Sequence, residues 1–518
     1  VTRRNAIIAF AALAVLTIVR IVVVAYLPDQ GYFAKYLLFA DRILAGDVPR
    51  SRLADLSPGY LWLTVALRAL GLGVTSIRAL QIVFVSIAAA LAGDAARRMA
   101  GPVAGVSAAL LILTSKAALV CASDFEPETL ILLLNAAALA LLIANRRAFS
   151  GLALGLSAIC RPVALLALPA VMTRRRLLPI LGAALLPVIV ILGVNLALTG
   201  DAVLMDPGTV FYEGMNPSAT GYSGVQPKIV TDLQRASREP DYLHVAYRVV
   251  AAKSLGHRVT RAESNRYWTG KALAFARAYP LAAVRLTACK ALFALQSYDP
   301  WDLVTMQRKA KQLPWMAWLP FGYLVPLAIT GAFFRRRDVA PLVWFAAATA
   351  VTLVVFYVTA RQRNALLPAL AILGGIAVVE MLRRPRVITA AILIGWLLTL
   401  PTRAQHEDEP ETYNDSLQQV ILLEQAGNWT RADTILQYLR DQPRRGTHAV
   451  SSLAYYRALA ASHLGRNPRP LLDQAATEAP GNEYVLAARA RLLGDARARE
   501  ELFALHDAVT AKALLAAR

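Results

Sequence analysis

Five acidic and four basic residues of this chain stand at or near the ends of apolar runs, where a side chain can do chemistry at a membrane surface. Asp29 lies two residues past Leu27, the end of a long apolar run, so its carboxylate falls where lipid gives way to water. A carboxylate there can meet a lipid-borne reactant and a soluble one together, the access a general base needs. Tyr32 and Lys35 follow in the same stretch, LPDQGYFAKYLLFADRILAGD, and Asp55 precedes a second apolar piece. Asp124, Glu126 and Glu128 crowd SDFEPET between two further apolar runs. Arg161 interrupts GLALGLSAICRPVALLALP, while Arg361 and Arg363 sit in TARQRN ahead of another apolar run. A cation within an apolar stretch costs about 2.5–3.5 kcal/mol on insertion scales, which predicts an anionic partner for Arg161.

The elements that must hold these groups are membrane helices. At 518 residues, the chain is 57% hydrophobic and 17% charged, too apolar for a soluble globule of this size. Its apolar residues come in blocks of about 17–25, the length that spans a hydrocarbon core. The expected fold is therefore an all-α polytopic membrane protein, and the ten-residue alternation of an outer-membrane barrel is absent. The net charge of +21 sits largely in short clusters beside apolar runs, such as Arg97-Arg98 and Arg335 to Arg337. Those clusters read as topology signals rather than a nucleic-acid surface. Cys121, Cys160 and Cys289 lie far apart in apolar stretches, without metal spacing or a disulfide framework.

Taken in order, an uncleaved first span is expected over residues 6–27, with the N-terminus cytoplasmic. Residues 31–45 carry one apolar helical face and 58–72 form a short piece containing Arg68, so both are expected to lie along the outer surface. Keeping 58–72 outside places later basic clusters in the cytoplasm. Spans follow at 76–96, 103–120 and 130–144, then a hairpin of two short helices over 151–172 broken at Arg161-Pro162. Further spans are expected at 177–198, 315–334, 341–358, 365–381 and 387–400, about eleven in all. A large external loop covers 199–314. After Pro401 the composition turns polar, and LLEQAGNWTRADTILQYL is echoed by AASHLGRNPRPLLDQAATEAPGN about 38 residues on. That repeat fits tetratricopeptide-like helical hairpins. The expected domains are thus 1–402 in the membrane, with a first external loop at 28–74, and an external helical repeat domain over 403–518.

This order of segments resembles the GT-C superfamily of polyprenyl-phosphate-sugar-dependent membrane glycosyltransferases. It is closest to the protein mannosyltransferase and aminoarabinose-transferase branch, and to bacterial relatives with tetratricopeptide repeats. The resemblance runs to about Leu400 and rests on six short motifs in order: PDQGYFAKYLLFADRILAGD, SPGYLWLTVALRALG, SDFEPETLILLL, GLALGLSAICRPVALLALP, FYEGMNP and ARQRNALLPALAIL. It implies a reaction in which an acceptor hydroxyl displaces a lipid phosphate from an anomeric carbon. Asp29 matches the family's catalytic aspartate and would be the base, with Glu126 at the acid-Pro position of the second loop. Arg161, Arg361, Arg363 and Lys35 are the candidates for the donor phosphate, because guanidinium groups hold phosphate in fixed geometry. Tyr32, Asp55, Asp124 and Glu128 are the candidates for touching the acceptor or supporting those groups. The family's acid after the catalytic aspartate is Gln30 here, and its Glu-Lys before the second helix is Leu56-Ser57.

Each residue also has a plainer role open to it. Asp29 can cap the helix that begins near Gly31, Glu126 can be an acid at a helix N-terminus, and Arg361 and Arg363 can snorkel at a span end. No HExxH, Walker loop or GxSxG is present, so no cofactor is named; a divalent cation stays open. The partners implied are a polyprenyl-phosphate-linked sugar, the bilayer, a glycan, lipid or protein acceptor, and a protein bound by the terminal repeats, but no nucleic acid. The location implied is the cytoplasmic (inner) membrane, multi-pass, with the C-terminal domain external or periplasmic. An oligosaccharide ligase using a lipid diphosphate, a transporter or flippase, and a membrane-anchored repeat scaffold are the competing classes.

Overall fold

A computed structural model describes residues 15–23, 35–172, 177–221, 224–227, 229–230, 233, 243–297, 299–301, 306, 309, 321–335, 338–398, 420, 423–424, 427–440, 450–478, 483–505 and 515. Asp29 and Tyr32 lie outside them. The chain divides into two compact units, Val1–Thr231 with Asp241–Thr402, and Asp232–Pro240 with Arg403–Arg518. Every described element is helical, and no strand occurs among the described residues.

In the first unit, helix α1 (Lys35–Leu44) buries Tyr36, Leu37, Phe39 and Ala40, the face its sequence pattern marks as apolar. Helix α2 (Pro58–Ala69) starts with proline at the first helical position, where the missing N–H costs nothing. The two pack through Tyr36 and Tyr60, edge to face at 4.9 Å, and join at their ends by an Arg68–Asp41 ion pair of 2.6 Å. Helix α3 (Val74–Ala100) ends at Gly101, whose φ of +91° suits glycine, and Pro102 then opens α4 (Pro102–Leu113).

The α3–α4 pair and α15 (Leu367–Arg383) meet at backbone distance. A Cβ on Gly105 would stand 2.8 Å from the Gly93 carbonyl, and one on Gly375 would stand 2.4 Å from the Ala104 carbonyl. Close approach over small residues is how helices associate where no water drives apolar burial. The same device joins α7 (Arg147–Cys160) to α8 (Leu177–Thr199), where a Cβ on Gly155 would lie 2.1 Å from the Ala184 oxygen.

Among the described residues, three helices are long and apolar enough to cross a membrane: α3, α8 and the continuous segment Ala360–Arg383. After α9 (Pro207–Gly214) and α10 (Leu243–Leu255), a fourth crossing would come from α11 (Arg261–Ala278) and α12 (Pro280–Leu295), which bend by 109° at their junction. The eleven spans expected from hydropathy are not reproduced among the described residues, for reasons visible in the chain. Residues 103–120 break into α4 and α5 (Lys116–Ser123), because Thr114 bonds back to the Leu110 carbonyl and Ser115 caps the next helix. Helices α6 (Glu128–Ile143), α7, α13 (Leu324–Phe334), α14 (Ala340–Val355) and α16 (Pro385–Leu398) are apolar but have 10–17 residues. Within residues 199–314, the stretch expected to form a large external loop, α12 exposes Leu281, Val284, Leu292 and Leu295.

The second unit holds helices Trp429–Arg440, Val450–His463, Arg469–Glu478, Glu483–Leu493 and Ala496–Leu505, each packed on the next. Gly427 and Gly465 both have φ near +70°, at 72° and 71°. Both close a helix with the same bonds, Gly427 N–H to Glu424 and Asn428 N–H to Leu423, then Gly465 N–H to Ser462 and Arg466 N–H to Ala461. This is a Schellman turn used twice at equivalent places in the sequence repeat.

Candidate active site

The loop between α5 and α6 carries the acids, and buried polar side chains from α3 hold it in place. Gln81 donates from its amide to the Ala122 and Asp124 carbonyls at 3.0 and 2.7 Å, and it accepts from the Tyr60 hydroxyl at 2.8 Å. Arg78 donates to the Ser123 carbonyl at 3.0 Å and lies over the Phe125 ring at 5.2 Å. Lys309 donates to the same Ser123 carbonyl at 2.8 Å, so buried side-chain donors satisfy the loop's carbonyls and fix it. Glu126 and Glu128 emerge from it almost completely buried, at 1% and 2% exposure.

Three cations from separate elements meet these two carboxylates. Lys35, at the start of α1, pairs with Glu126 at 3.0 Å. Arg161 pairs with Glu128. Arg361, from the short helix Ala360–Arg363, reaches Glu128 at 3.1 Å and Glu126 at 3.6 Å. Arg161 sits where it does because Pro162 forces the preceding residue out of helical backbone. Its φ and ψ are −147° and 110°, and α7 stops there. Its position is held by neighbours: the Ser57 hydroxyl donates to the Cys160 carbonyl at 2.7 Å, and Asn135 links the Ser157 hydroxyl to the Ala365 carbonyl. The anionic partner expected for Arg161 is therefore Glu128.

Lys35, Glu126, Arg161 and Arg361 line a cavity of about 660 Å³. That volume lies in the range of small-molecule sites. One wall is apolar, with Val163, Ala167, Leu192, Phe345 and Leu353. The charged end holds more cations than carboxylates, an arrangement that attracts an anion. Burial pushes the Glu126 carboxyl up to about 7, against the opposing charges of Lys35 and Arg361, with Glu128 adding to the rise. Its charge is thus poised near neutrality, and protonation would leave the end more positive still. Among the described residues no group of three or more His, Cys, Asp or Glu is placed to hold a metal ion.

Two residues grouped with this cluster by sequence lie elsewhere. Arg363 is fully buried, donates to Asp299 at 2.6 Å and to the Gln296 carbonyl at 2.8 Å, and covers the Phe321 ring at 4.6 Å. Residues two apart on a helix point about 200° away from each other. One turn therefore sends Arg361 to the cavity and Arg363 to the core, and Arg363 does not line the cavity. Asp124 pairs with Lys309 at 3.5 Å and does not line it either.

Asp55 does line the cavity, held by Arg52 at 3.3 Å and Arg248 at 3.0 Å. Near it is a group that sequence reasoning did not find. Asp206 accepts from His244 at 3.0 Å, from Arg261 at 3.2 Å and from the Asn265 amide at 3.2 Å. Burial alone would raise the Asp206 carboxyl; the His244 hydrogen bond and the Arg261 charge outweigh it and hold the group well below the usual carboxylate range. Arg261 also donates to the Ala54 carbonyl at 2.7 Å, tying α11 to the residue beside Asp55.

Comparison with family models and with curated proteins returned no match for the chain.

Proposed function

We propose that this chain is a membrane glycosyltransferase that moves a sugar from a polyprenyl-phosphate donor to an acceptor hydroxyl on the external face. The observation that carries this reading is the set of Lys35, Arg161 and Arg361 lining a cavity that also has an apolar wall. A phosphate on an isoprenoid chain has that same division, a compact anion joined to a long hydrocarbon. The acceptor oxygen attacks the anomeric carbon, and the bond from that carbon to the phosphate oxygen breaks with its electron pair leaving on phosphate. The hydroxyl proton passes to Asp29, and a single displacement inverts the anomeric centre. The cations stabilise the charge that develops on the departing phosphate, the usual large contribution in such a site. In this reading about eleven segments reach or cross the bilayer, the N-terminus is cytoplasmic, and the repeat unit is external, where it can dock the acceptor or a partner protein.

The test is reconstitution of the full chain in liposomes with a panel of polyprenyl-phosphate sugars and extracts of envelope acceptors. Transfer from at least one donor, lost in Arg361→Gln, is the expected result. Movement of intact donor across the bilayer without any transfer would point instead to a flippase and overturn the reading.

A further inference from the structure

Helix α12 has two unlike faces. Ala283, Leu286, Lys290 and Ala294 are buried, while Leu281, Val284, Ala288, Leu292 and Leu295 are exposed, both sets at the spacing that keeps to one side of a helix. At 82% and 65% exposure, Leu281 and Val284 would stand almost bare in water, although the chain folds the opposite face onto its own core. The stripe does not end with the helix. Lys290 donates to the Val355 carbonyl at 3.3 Å at the end of α14, and α14 itself exposes Val343, Trp344, Val351 and Val355. Two adjoining helices thus turn apolar side chains outward, the kind of surface that marks a protein or membrane contact. The charge around it has one sign. Residues 264–298 hold Arg266, Lys271, Arg277, Arg285 and Lys290 and no acid. Arg277 and Arg285 are exposed without an ion-pair partner among the described residues. Arg285 flanks the stripe, about 100° round the helix from Val284, and Tyr279 stands exposed at the bend between α11 and α12. An apolar face bordered by cations and an aromatic ring matches the boundary between acyl chains and anionic headgroups.

Both ends of α12 are tied to elements that line the cavity, so the helix lies across the cavity end of the bundle and does not cross. Ala283 and Leu286, near its start, pack with Met215, the residue after α9, and α9 places Pro207, Thr209 and Glu213 on the cavity lining. Near its end, the Phe293 and Gln296 carbonyls accept from Arg363 at 3.2 and 2.8 Å, and the Pro300 carbonyl accepts from the Ala360 N–H at 2.6 Å. Arg363 and Ala360 belong to the short helix that brings Arg361 to the cavity. The 16 residues of α12 extend about 24 Å, short of a hydrocarbon core. We propose that α12 is seated in the external leaflet, with Leu281, Val284, Leu292 and Leu295 among the acyl chains and Arg277 and Arg285 on anionic phospholipid headgroups. A second copy of this chain would bring a further set of cations and no acid to the same face, so the charge favours phospholipid. The inference rests on the membrane placement in the proposed function and not on sugar transfer.

The experiment uses the full chain in liposomes. Cys289→Ser removes the one cysteine that is not buried, and a bimane fluorophore is attached at Val284→Cys, at Leu292→Cys or, as the aqueous reference between α10 and α11, at His257→Cys. The quenchers are iodide in the water and phospholipids with a nitroxide on the acyl chain, either phosphatidylglycerol or phosphatidylcholine. Nitroxide lipids quench the Val284 and Leu292 sites from the same depth, iodide quenches only the His257 site, and phosphatidylglycerol quenches more strongly than phosphatidylcholine. Each cation at a membrane surface adds about fivefold to the affinity for anionic lipid. The pair Arg277→Gln and Arg285→Gln should therefore remove most of that preference, and about 1 M salt should do the same. Iodide access at the Val284 and Leu292 sites equal to that at the His257 site would place the stripe in water. Protection from both quenchers would place a second copy of the chain on it, and a depth difference of about 12 Å between the two sites would make α12 a crossing helix. Each of these results overturns the seating in the leaflet, and equal quenching by the two lipids overturns the headgroup contact. A lipid-seated α12 in a chain that transfers no sugar from any donor would sink the transferase reading alone. Sugar transfer by a chain whose α12 is open to iodide would sink the seating alone.

Discussion

Glu128 is the residue whose loss tests the charge cluster most sharply. Its side chain is 2% exposed, and two guanidinium groups from different elements converge on one of its oxygens. Breaking a fully buried pair costs about 3–5 kcal/mol, because the partner charge is left uncompensated. Here the partners are less buried, with Arg161 at 21% and Arg361 at 12% side-chain exposure, so water in the cavity can replace part of what Glu128 supplies. Discounting for that screening gives about 2–3 kcal/mol. Glu128 also stands in the first turn of α6, where an acid adds about 0.3–1 kcal/mol. Glu128→Gln is therefore expected to cost about 2–4 kcal/mol in equilibrium unfolding in mixed micelles. Arg361→Gln leaves Glu128 paired with Arg161 and costs less. In the double variant the two losses do not add, with a coupling of about 1.5 kcal/mol or more. Inorganic phosphate should stabilise Glu128→Gln more than wild type, since it can take the place of the missing carboxylate between two arginines. Additivity within about 0.5 kcal/mol, or equal stabilisation of both proteins by phosphate, would refute the linked cluster.

The Glu126 carboxyl is raised by burial to about 7. A group raised on folding stabilises the fold fully below its unfolded value near 4.3, and that contribution is lost as pH climbs to about 7. The melting temperature of the wild type should thus fall between pH 5 and pH 7 by an increment that Glu126→Gln removes, measured by a pH series on the two proteins. Arg361 and Arg363 should separate cleanly. Arg361→Gln lowers sugar transfer about a hundredfold with a modest change in melting temperature. Arg363→Gln leaves Asp299 buried without its cation and lowers folded yield and melting temperature instead.

How much of this was legible in the sequence differs from residue to residue. The apolar runs, the break at Arg161-Pro162 and the buried face of α1 follow from periodicity and proline chemistry, and the Gly427 and Gly465 turns match the tail's repeat. Span number was less legible, because hydropathy measures how apolar a segment is and not where a Thr-Ser pair such as Thr114-Ser115 interrupts it. The partnership of Glu126 and Glu128 with Arg361 joins residues over 230 apart, and only the order of motifs hinted at it. The split of Arg361 from Arg363 could have been foreseen, since residues two apart on a helix do not share a face. The Asp206–His244–Arg261 group left a fainter trace. Thr260 and Glu263 form a capping box that marks the start of α11, but nothing local says that Arg261 turns back to Asp206 and Ala54.

In the proposed reaction a carboxylate at Asp29 accepts the acceptor's proton while the cation cluster receives the phosphate. It is tested most directly by initial rates of sugar transfer from a polyprenyl-phosphate donor in proteoliposomes, wild type beside Asp29→Asn. Asparagine keeps the size and hydrogen-bonding shape of the side chain and removes only its capacity to take a proton. The expected result is a fall in kcat of about 10²–10⁴ with donor KM little changed. Transfer by Asp29→Asn at the wild-type rate would contradict it.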